Sequence, residues 1–195
     1  MSSQSSAAGS SYAQQAMLEC ALQVLDQPIA LLAAGSVGDE QMSATSSLIP
    51  SSTVGVHLRH AHDHFRLLLE SLGSSASASA VALDYDCRTP APAFERSAET
   101  ARAELLKIKR QLQQAFGEHA ELMEKEVRLA ATTPARLDFG TTVGRELWFV
   151  CLHAIHHYAF IRAILSGELG IDVGPEFGVA PSTLVNKAFR SQGKM

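Results

Sequence analysis

The chain has 195 residues, 46% of them apolar, and a formal net charge of −4 from 16 basic and 20 acidic side chains. This length and apolar content suit one domain with its own core. Phosphate binding needs a concentrated basic face, and no run of Lys and Arg is present, so the composition argues against a nucleic-acid partner.

Cysteine usage and hydropathy indicate the compartment. Cys20, Cys87 and Cys151 are odd in number and far apart in sequence, which argues against a disulfide framework and favours a reducing environment. No uninterrupted apolar run reaches the roughly 20 residues that cross a bilayer, and the Ser/Ala/Gly-rich start lacks the features of a secretory signal. We therefore expect a cytoplasmic protein with no membrane partner.

Apolar residues recur every three or four positions in four segments, which predicts four helices. Their predicted spans are 12–34, 50–72, 94–116 and 143–165. Pro28 should kink or end the first helix. Residues 126–142 alternate between apolar and polar side chains, which predicts a short β-hairpin before the last helix. The predicted fold class is all-α, an antiparallel four-helix bundle.

The same pattern predicts three regions along the chain. Residues 1–11 are expected to form a disordered N-terminus, residues 12–169 the bundle, and residues 170–195 an irregular C-terminal tail that packs on the bundle. Within the bundle, the Gly/Ser-rich stretch 35–47 reads as a linker and the Ser/Ala stretch 74–80 as a mobile loop.

Histidine placement is the strongest functional feature of the sequence. Seven of the eight histidines lie in two windows, 57–64 and 153–157. At about 100° per residue, most of them fall on or beside the apolar stripe of their helix; these are His57, His60, His64, His153, His156 and His157. His62 falls on the side of Arg59 and Arg66, so we expect it, like His119, to be a surface residue.

A metal ion is a suitable partner for such buried imidazoles. Burying several of them among apolar side chains is costly unless each has a polar partner. His153 and His157 are spaced i, i+4, which lets one ion bind both, and a third imidazole from the facing helix would complete a three-histidine site with open positions, as in catalytic zinc sites. The competing interpretation is a set of hydrogen-bonded core histidines without metal.

Two side chains near these histidines, Cys151 and Glu146, are not expected to be metal ligands. Cys151 falls on the opposite face from His153, which favours a packing role. Glu146 could orient a ligand histidine from outside the coordination sphere, but a carboxylate that stabilises the N-terminal end of the helix is the simpler interpretation.

The chain resembles the DinB/YfiT-like superfamily. The resemblance is carried by VGVHLRHAHDHF at residues 54–65 and RELWFVCLHAIHHYAFI at residues 145–161, and it extends over the four-helix order from about residue 12 to 165. The tail FGVAPST at residues 177–183 is similar to one subgroup of single-domain members.

The resemblance implies a four-helix bundle, often a homodimer, that binds one divalent metal ion, with zinc, nickel and iron all compatible with imidazole. An HxxxH pair on the last helix maps onto His153 and His157. The histidine of the second helix, followed three residues later by Asp, maps best onto His60 with Asp63, and His57 is the competing choice. His64 and His156 are further candidates that the minimal pattern does not need.

Members of this superfamily with assigned activity include S-transferases that use low-molecular-weight thiols. The resemblance therefore implies a metal-dependent transferase with a small-molecule substrate, a thiol in the first instance. Two alternatives stay open. One is a non-catalytic metal-binding or structural homodimer, and the other is a metal-dependent phosphohydrolase, prompted by the pair His62 and Asp63 and ranked last.

Overall fold

The computed structural model describes residues 3–74, 79–87, 89–132 and 134–179, with side chains from Tyr12 onward. The described chain is mostly helical with a small sheet, which confirms the predicted helical class. The part of the predicted irregular tail beyond residue 179 lies outside the described residues, as do residues 1 and 2.

Four long helices carry the core. They are α1 (Ser3–Ala33), α3 (Val54–Ser74), α5 (Ala98–Gly117) and α6 (Val143–Arg162). Helix α3 packs on α6 and α5, and α1 packs on α5 and α6. Large apolar side chains fill the space between them, among them Leu25, Phe65, Leu105 and Ile161.

The first and third helices differ from their predicted spans. Helix α1 begins at Ser3, nine residues before the predicted start, and it continues through Pro28 to Ala33. The predicted third helix is divided at Ser97 into α4 (Pro92–Arg96) and α5, because Ser97 leaves the helical conformation and its side chain caps α5. The predicted linker 35–47 contains α2 (Asp39–Ser43), whose Met42 is fully buried.

Three strands form the sheet. Strands β2 (Glu126–Ala131) and β3 (Leu137–Thr142) pair antiparallel, which confirms the predicted hairpin at residues 126–142. Strand β1 (Val81–Asp84) adds parallel to β2 and has no counterpart in the sequence prediction. A 3-10 helix (Ala120–Glu124) precedes β2, and a π-helical turn (Ala163–Glu168) ends α6.

The described part of the tail contacts α6. The ring of Phe177 stacks on Tyr158 with centroids 5.4 Å apart, and the guanidinium of Arg162 donates to the carbonyl oxygens of Gly174 and Phe177 at 2.6 and 2.7 Å. Gly178 has φ of +67°, and a Cβ there would lie 2.7 Å from the backbone of Tyr158. The backbone of the tail therefore approaches α6 more closely than any side chain would permit.

Two helical stretches, Tyr12–Ala33 and Val143–Glu168, are long and apolar enough to cross a membrane by length and composition. In their most apolar windows, 39% and 50% of the residues are buried inside the protein. Core helices pass the same test, so this is weak support for a membrane, and the expectation of no membrane partner stays a prediction.

Candidate metal centre

Six histidine rings lie against one another where α3 packs on α6. The rings of His57 and His60 contact His157, with centroids 5.2 and 5.1 Å apart, and His64 contacts His153 at 3.9 Å. The six predicted candidates are thus brought together from two helices. We call them the histidine cluster: His57, His60, His64, His153, His156 and His157.

Local hydrogen bonds determine where these two helices begin. Oγ1 of Thr53 accepts from the backbone N–H of Val56 at the start of α3, and Oγ1 of Thr142 accepts from that of Arg145 at the start of α6. Both satisfy N–H groups that have no partner within the helix. With the helix starts set, the three- and four-residue spacings put the histidines of each helix on the side that faces the other helix.

Short polar contacts connect four side chains in one line through the core. Oγ of Ser52 lies 2.6 Å from Nε2 of His57. Nδ1 of His57 lies 2.9 Å from Nδ1 of His157, and Nε2 of His157 lies 3.1 Å from Nε2 of His153. His157 therefore uses one ring nitrogen towards α3 and the other towards its neighbour on α6.

Burial keeps the centre of the cluster uncharged. Burial first, and then the neighbouring histidines 153, 60, 57 and 156, lower the pKa of His157 to about 2. Burial and the proximity of His156 also lower the pKa of His57. Both rings are neutral at pH 7, which is the state that metal ligation requires.

The ring nitrogens of His153 and His157 are separated by a distance that suits binding to one ion, but a third ligand is not in position among the residues that the structure describes. Two ligands 2.0–2.1 Å from one tetrahedral ion lie about 3.3 Å apart, close to the 3.1 Å between His153 and His157. Within the described ranges, however, no group of three or more His, Cys, Asp or Glu side chains is placed so that it could hold a metal ion. His157 directs its two nitrogens in opposite directions, so a three-histidine site requires a ring to turn.

The cluster is buried at one side and open at the other. His57, His64 and His157 are buried, and His60 and His153 are half-buried. His156 is exposed, so its predicted core position is wrong. It lies at the margin of the α3–α6 contact, where its ring meets His157 and Phe160 at 5.4 and 4.6 Å. The exposed ring of His156 therefore marks the solvent-facing margin of the cluster.

His62 and Asp63 lie away from the cluster. The prediction that His62 is a surface residue is wrong, because α4 covers this side of α3 and Phe94 packs on the ring at 4.7 Å. Burial tends to raise the pKa of Asp63, but the nearby ring of His62, whose Nδ1 lies 3.8 Å from Oδ1, and the guanidinium groups of Arg66 and Arg59 outweigh it and lower that pKa. His119 is exposed, as predicted.

A buried carboxylate lies beyond the cluster, at the start of α6. Glu146 is fully buried and accepts hydrogen bonds from Tyr85, Thr141 and Arg145 at 3.2, 2.9 and 2.9 Å. It lies in the first turn of α6, where a negative charge is stabilising. Its connection to the histidines is indirect, since the ring of Tyr85 stacks on His64 at 4.8 Å.

Several residues around the cluster were not predicted as part of the site. Tyr85 and Phe149 contact His64 and His153, and Phe160 stacks on His57 at 5.0 Å. Tyr85 follows strand β1 and no local pattern connects it with a histidine. The contact of Ser52 could have been found from the sequence, because Ser52 lies five residues before His57, at the predicted start of the helix.

The thiols of Cys20 and Cys151 meet between α1 and α6, on the other side of α6 from the histidines. A hydrogen bond from Cys151 lowers the pKa of Cys20 to about 7, although burial opposes the shift. The same contact and burial raise the pKa of Cys151, which is buried. The predicted packing role of Cys151 agrees with this position.

Comparison with known proteins finds one informative relative. No family model matches the chain, and no solved structure matches it. The chain is similar to FK506-binding protein 5 of Rhizopus delemar, with 31% identity over 172 residues. The match covers 86% of this chain but 37% of that protein, so the chain spans little more than a third of the length of this curated relative.

Proposed function

We propose that the protein is a metal-dependent enzyme of the DinB-like kind that acts with a low-molecular-weight thiol. The observation that carries this proposal is the 3.1 Å contact between Nε2 of His153 and Nε2 of His157, with two imidazoles of α3 in ring contact. Neutral nitrogen donors from two helices, partly open to solvent, suit a divalent ion such as zinc, nickel or iron.

The proposed fold is the antiparallel four-helix bundle of that superfamily. Its support is the packing order of the long helices, since α1, α6, α3 and α5 contact one another in a closed ring. In such a bundle a site built from side chains of facing helices lies inside the core. The sheet and the short helices α2 and α4 are then additions around the bundle.

Within this proposal, His60, His153 and His157 hold the ion and His57 acts from outside it. The contacts of His57 support this division, because its two nitrogens face Ser52 and Nδ1 of His157. His57 would orient His157, as outer-shell partners of ligand histidines do. When bound, the ion would lower the pKa of a coordinated thiol and so make it nucleophilic. Phe160 and Tyr85 shield the cluster from water on two sides.

A non-catalytic homodimer is the second candidate, and one observation favours it. Trp148 and Leu152 lie one turn apart on α6 and are 48% and 44% exposed. They give this helix an apolar outer surface on which a second copy could pack. The phosphohydrolase has no such support, because His62 packs on Phe94 and Asp63 pairs with Arg59 and Arg66, away from the cluster.

The similarity to the protein from Rhizopus delemar concerns only the segment that the two proteins share. Because this chain corresponds to 37% of that protein, we propose that the common segment is the metal-binding bundle and that the FK506 binding in the name belongs to the remainder. FK506 titrated into this protein should then give no binding heat, whereas binding would assign that property to the shared segment.

Metal content tests the proposed site directly. The purified protein is loaded in turn with zinc, nickel and iron, desalted, and its metal measured by elemental analysis. We expect about one ion per chain, absent in His153→Ala and retained in the control His119→Ala, whose histidine is exposed outside the cluster. Below about pH 6 the ion should be released, because imidazole must be neutral to ligate.

Two results would end the proposal. A metal-free protein after loading would remove the site, and metal retained at pH 4 would exclude histidine ligation. If metal binds, thiol transfer from glutathione to an apolar electrophile separates the enzyme from the non-catalytic homodimer. Activity that disappears with the metal in His153→Ala supports the enzyme.

A further inference from the structure

A cavity of about 740 Å³ lies between the start of α6 and the β2–β3 hairpin, separated from the histidine cluster by the rings of Tyr85 and Phe149. Its volume falls in the range of pockets that enclose a small organic molecule. We propose that this cavity binds an uncharged aromatic or similarly flat apolar molecule and holds it next to the cluster. The inference rests on the proposed function for the role of that molecule as second substrate: its electrophilic carbon would form a bond to the thiolate sulfur as the bond to its leaving group breaks, and the leaving group would depart with that electron pair.

Two aromatic rings separate the cavity from the histidines. Tyr85 and Phe149 both line the cavity, and their rings contact each other at 5.5 Å. Tyr85 also stacks on His64 at 4.8 Å, and Phe149 stacks on His153 at 5.7 Å. A molecule in the cavity is therefore one ring away from two members of the cluster.

The opposite wall is apolar and belongs to the hairpin. Leu129 and Phe139 are directly opposite each other in the β2–β3 ladder, so their side chains project from the same face of the sheet. Both line the cavity, and Phe139 is 49% exposed although it is aromatic. A flat apolar ligand would cover this ring and stack on it.

The charges around the cavity favour an uncharged ligand. Arg145 is the one basic side chain among the described residues that line it, and its guanidinium already pairs with the buried carboxylate of Glu146 at 2.9 Å. Asp86 adds a second carboxylate, which accepts from the backbone and hydroxyl of Thr132 at 2.8 Å each. With two acids and one base, the walls would repel an anion.

A matched pair of probe molecules tests whether the cavity binds an apolar ring system and whether it disfavours an anion. 2-Naphthalenemethanol and 2-naphthoate share one ring system and differ in charge, and their binding to the metal-free full chain is measured by calorimetry at pH 7.5. The alcohol should bind at least about tenfold more tightly than the carboxylate. Asp86→Asn should narrow this difference by strengthening naphthoate binding.

A second pair of variants locates the binding site. Phe139→Ala should weaken binding of the alcohol about tenfold, because an aromatic contact is lost. The control Leu137→Ala lies on the same strand, is similarly exposed, and does not line the cavity; it should change binding less than twofold. Both side chains are half-exposed, so both variants should keep the thermal melting temperature of the parent.

The results of these binding experiments test the cavity independently of the proposed metal site. No binding of the alcohol, tighter binding of naphthoate, or equal binding by Phe139→Ala and the parent overturns the cavity as proposed, whatever the metal content. Binding that follows the prediction in a protein that takes up no metal supports the cavity and removes the proposed enzyme. In cobalt-loaded protein, faster proton relaxation of the bound alcohol would support its position beside the histidines.

Discussion

Nδ1 of His57 lies 2.9 Å from Nδ1 of His157, and this contact joins α3 to α6 inside the core. One of the two nitrogens must carry the proton and the other must accept it. If Nε2 of His157 binds a metal ion, its Nδ1–H donates to His57, whose Nε2–H then donates to Oγ of Ser52 at 2.6 Å. With an ion on Nε2 of His157, these contacts would allow only this set of ring protonation states.

This arrangement predicts different effects for the two histidines of α3 that compete as ligands. His57→Ala should weaken metal affinity about 10–100-fold, the usual effect of losing an outer-shell partner. His60→Ala should remove metal binding altogether. Competition with a chromophoric chelator measures both, with His119→Ala as control. The opposite order, with loss in His57→Ala and weakening in His60→Ala, would make His57 the ligand.

Stability of the metal-free protein should fall on acidification. In the unfolded chain the imidazoles titrate near pH 6.5, whereas the folded chain lowers the pKa of His157 to about 2 and that of His57 as well. Below pH 6.5 the unfolded state therefore binds more protons, and the free energy of unfolding decreases as pH decreases. Each ring contributes a loss of about 1.4 kcal/mol per pH unit until its folded pKa is reached.

Urea unfolding at pH 7.5, 6.5 and 5.5 measures this effect. His157→Leu should show a smaller decrease between pH 6.5 and 5.5 than the parent, because one titrating ring is gone. The control His119→Ala removes an exposed ring and should show the same decrease in the free energy of unfolding as the parent. An unfolding free energy that does not change over this range would contradict the neutral state of His57 and His157.

Gly55 is predicted to be necessary for the contact between α3 and α4. A Cβ at this position would lie 1.8 Å from the carbonyl oxygen of Glu95, and a backbone atom has little freedom to move aside. Gly55→Ala should therefore lower the free energy of unfolding by at least about 2 kcal/mol. Chemical denaturation measures this change.

Gly73 supplies the matched control in the same helix. A Cβ at Gly73 meets nothing within 4 Å, so Gly73→Ala should raise the free energy of unfolding by about 0.5–1 kcal/mol through its better helix propensity. If Gly55→Ala raises the free energy of unfolding as Gly73→Ala does, the close approach of α4 to α3 is not as the structure has it.

Cys20 should be the most reactive cysteine near neutral pH among those the structure describes. Its pKa of about 7 depends on the hydrogen bond from Cys151, and the thiolate is the reactive form. In Cys151→Ala the pKa should return towards 9, and alkylation of Cys20 by iodoacetamide at pH 7 should slow roughly tenfold. Peptide mass spectrometry follows the rate, with the exposed Cys87 as internal reference. An unchanged rate at Cys20 would show that Cys151 does not stabilise its thiolate.

The elements that the sequence predicted well are those whose signal is local. The hairpin at residues 126–142 was readable from alternation of side chains, and helices α3 and α6 from their apolar period. Strand β1 was missed because four residues following a Ser/Ala stretch carry too little pattern, and they form a strand through pairing with β2, about 45 residues later in the chain.

The angular positions of histidines on α3 and α6 follow from the helix repeat, which is a property of the backbone alone, and so the histidines that share one side of each helix could be identified without coordinates. The burial of each ring could not be predicted in this way, because it depends on which other helix or strand covers that face. Phe94 of α4 buries His62, and the margin of the α3–α6 contact exposes His156. Packing between distant segments likewise sets which nitrogen of His157 faces His57 and which faces His153.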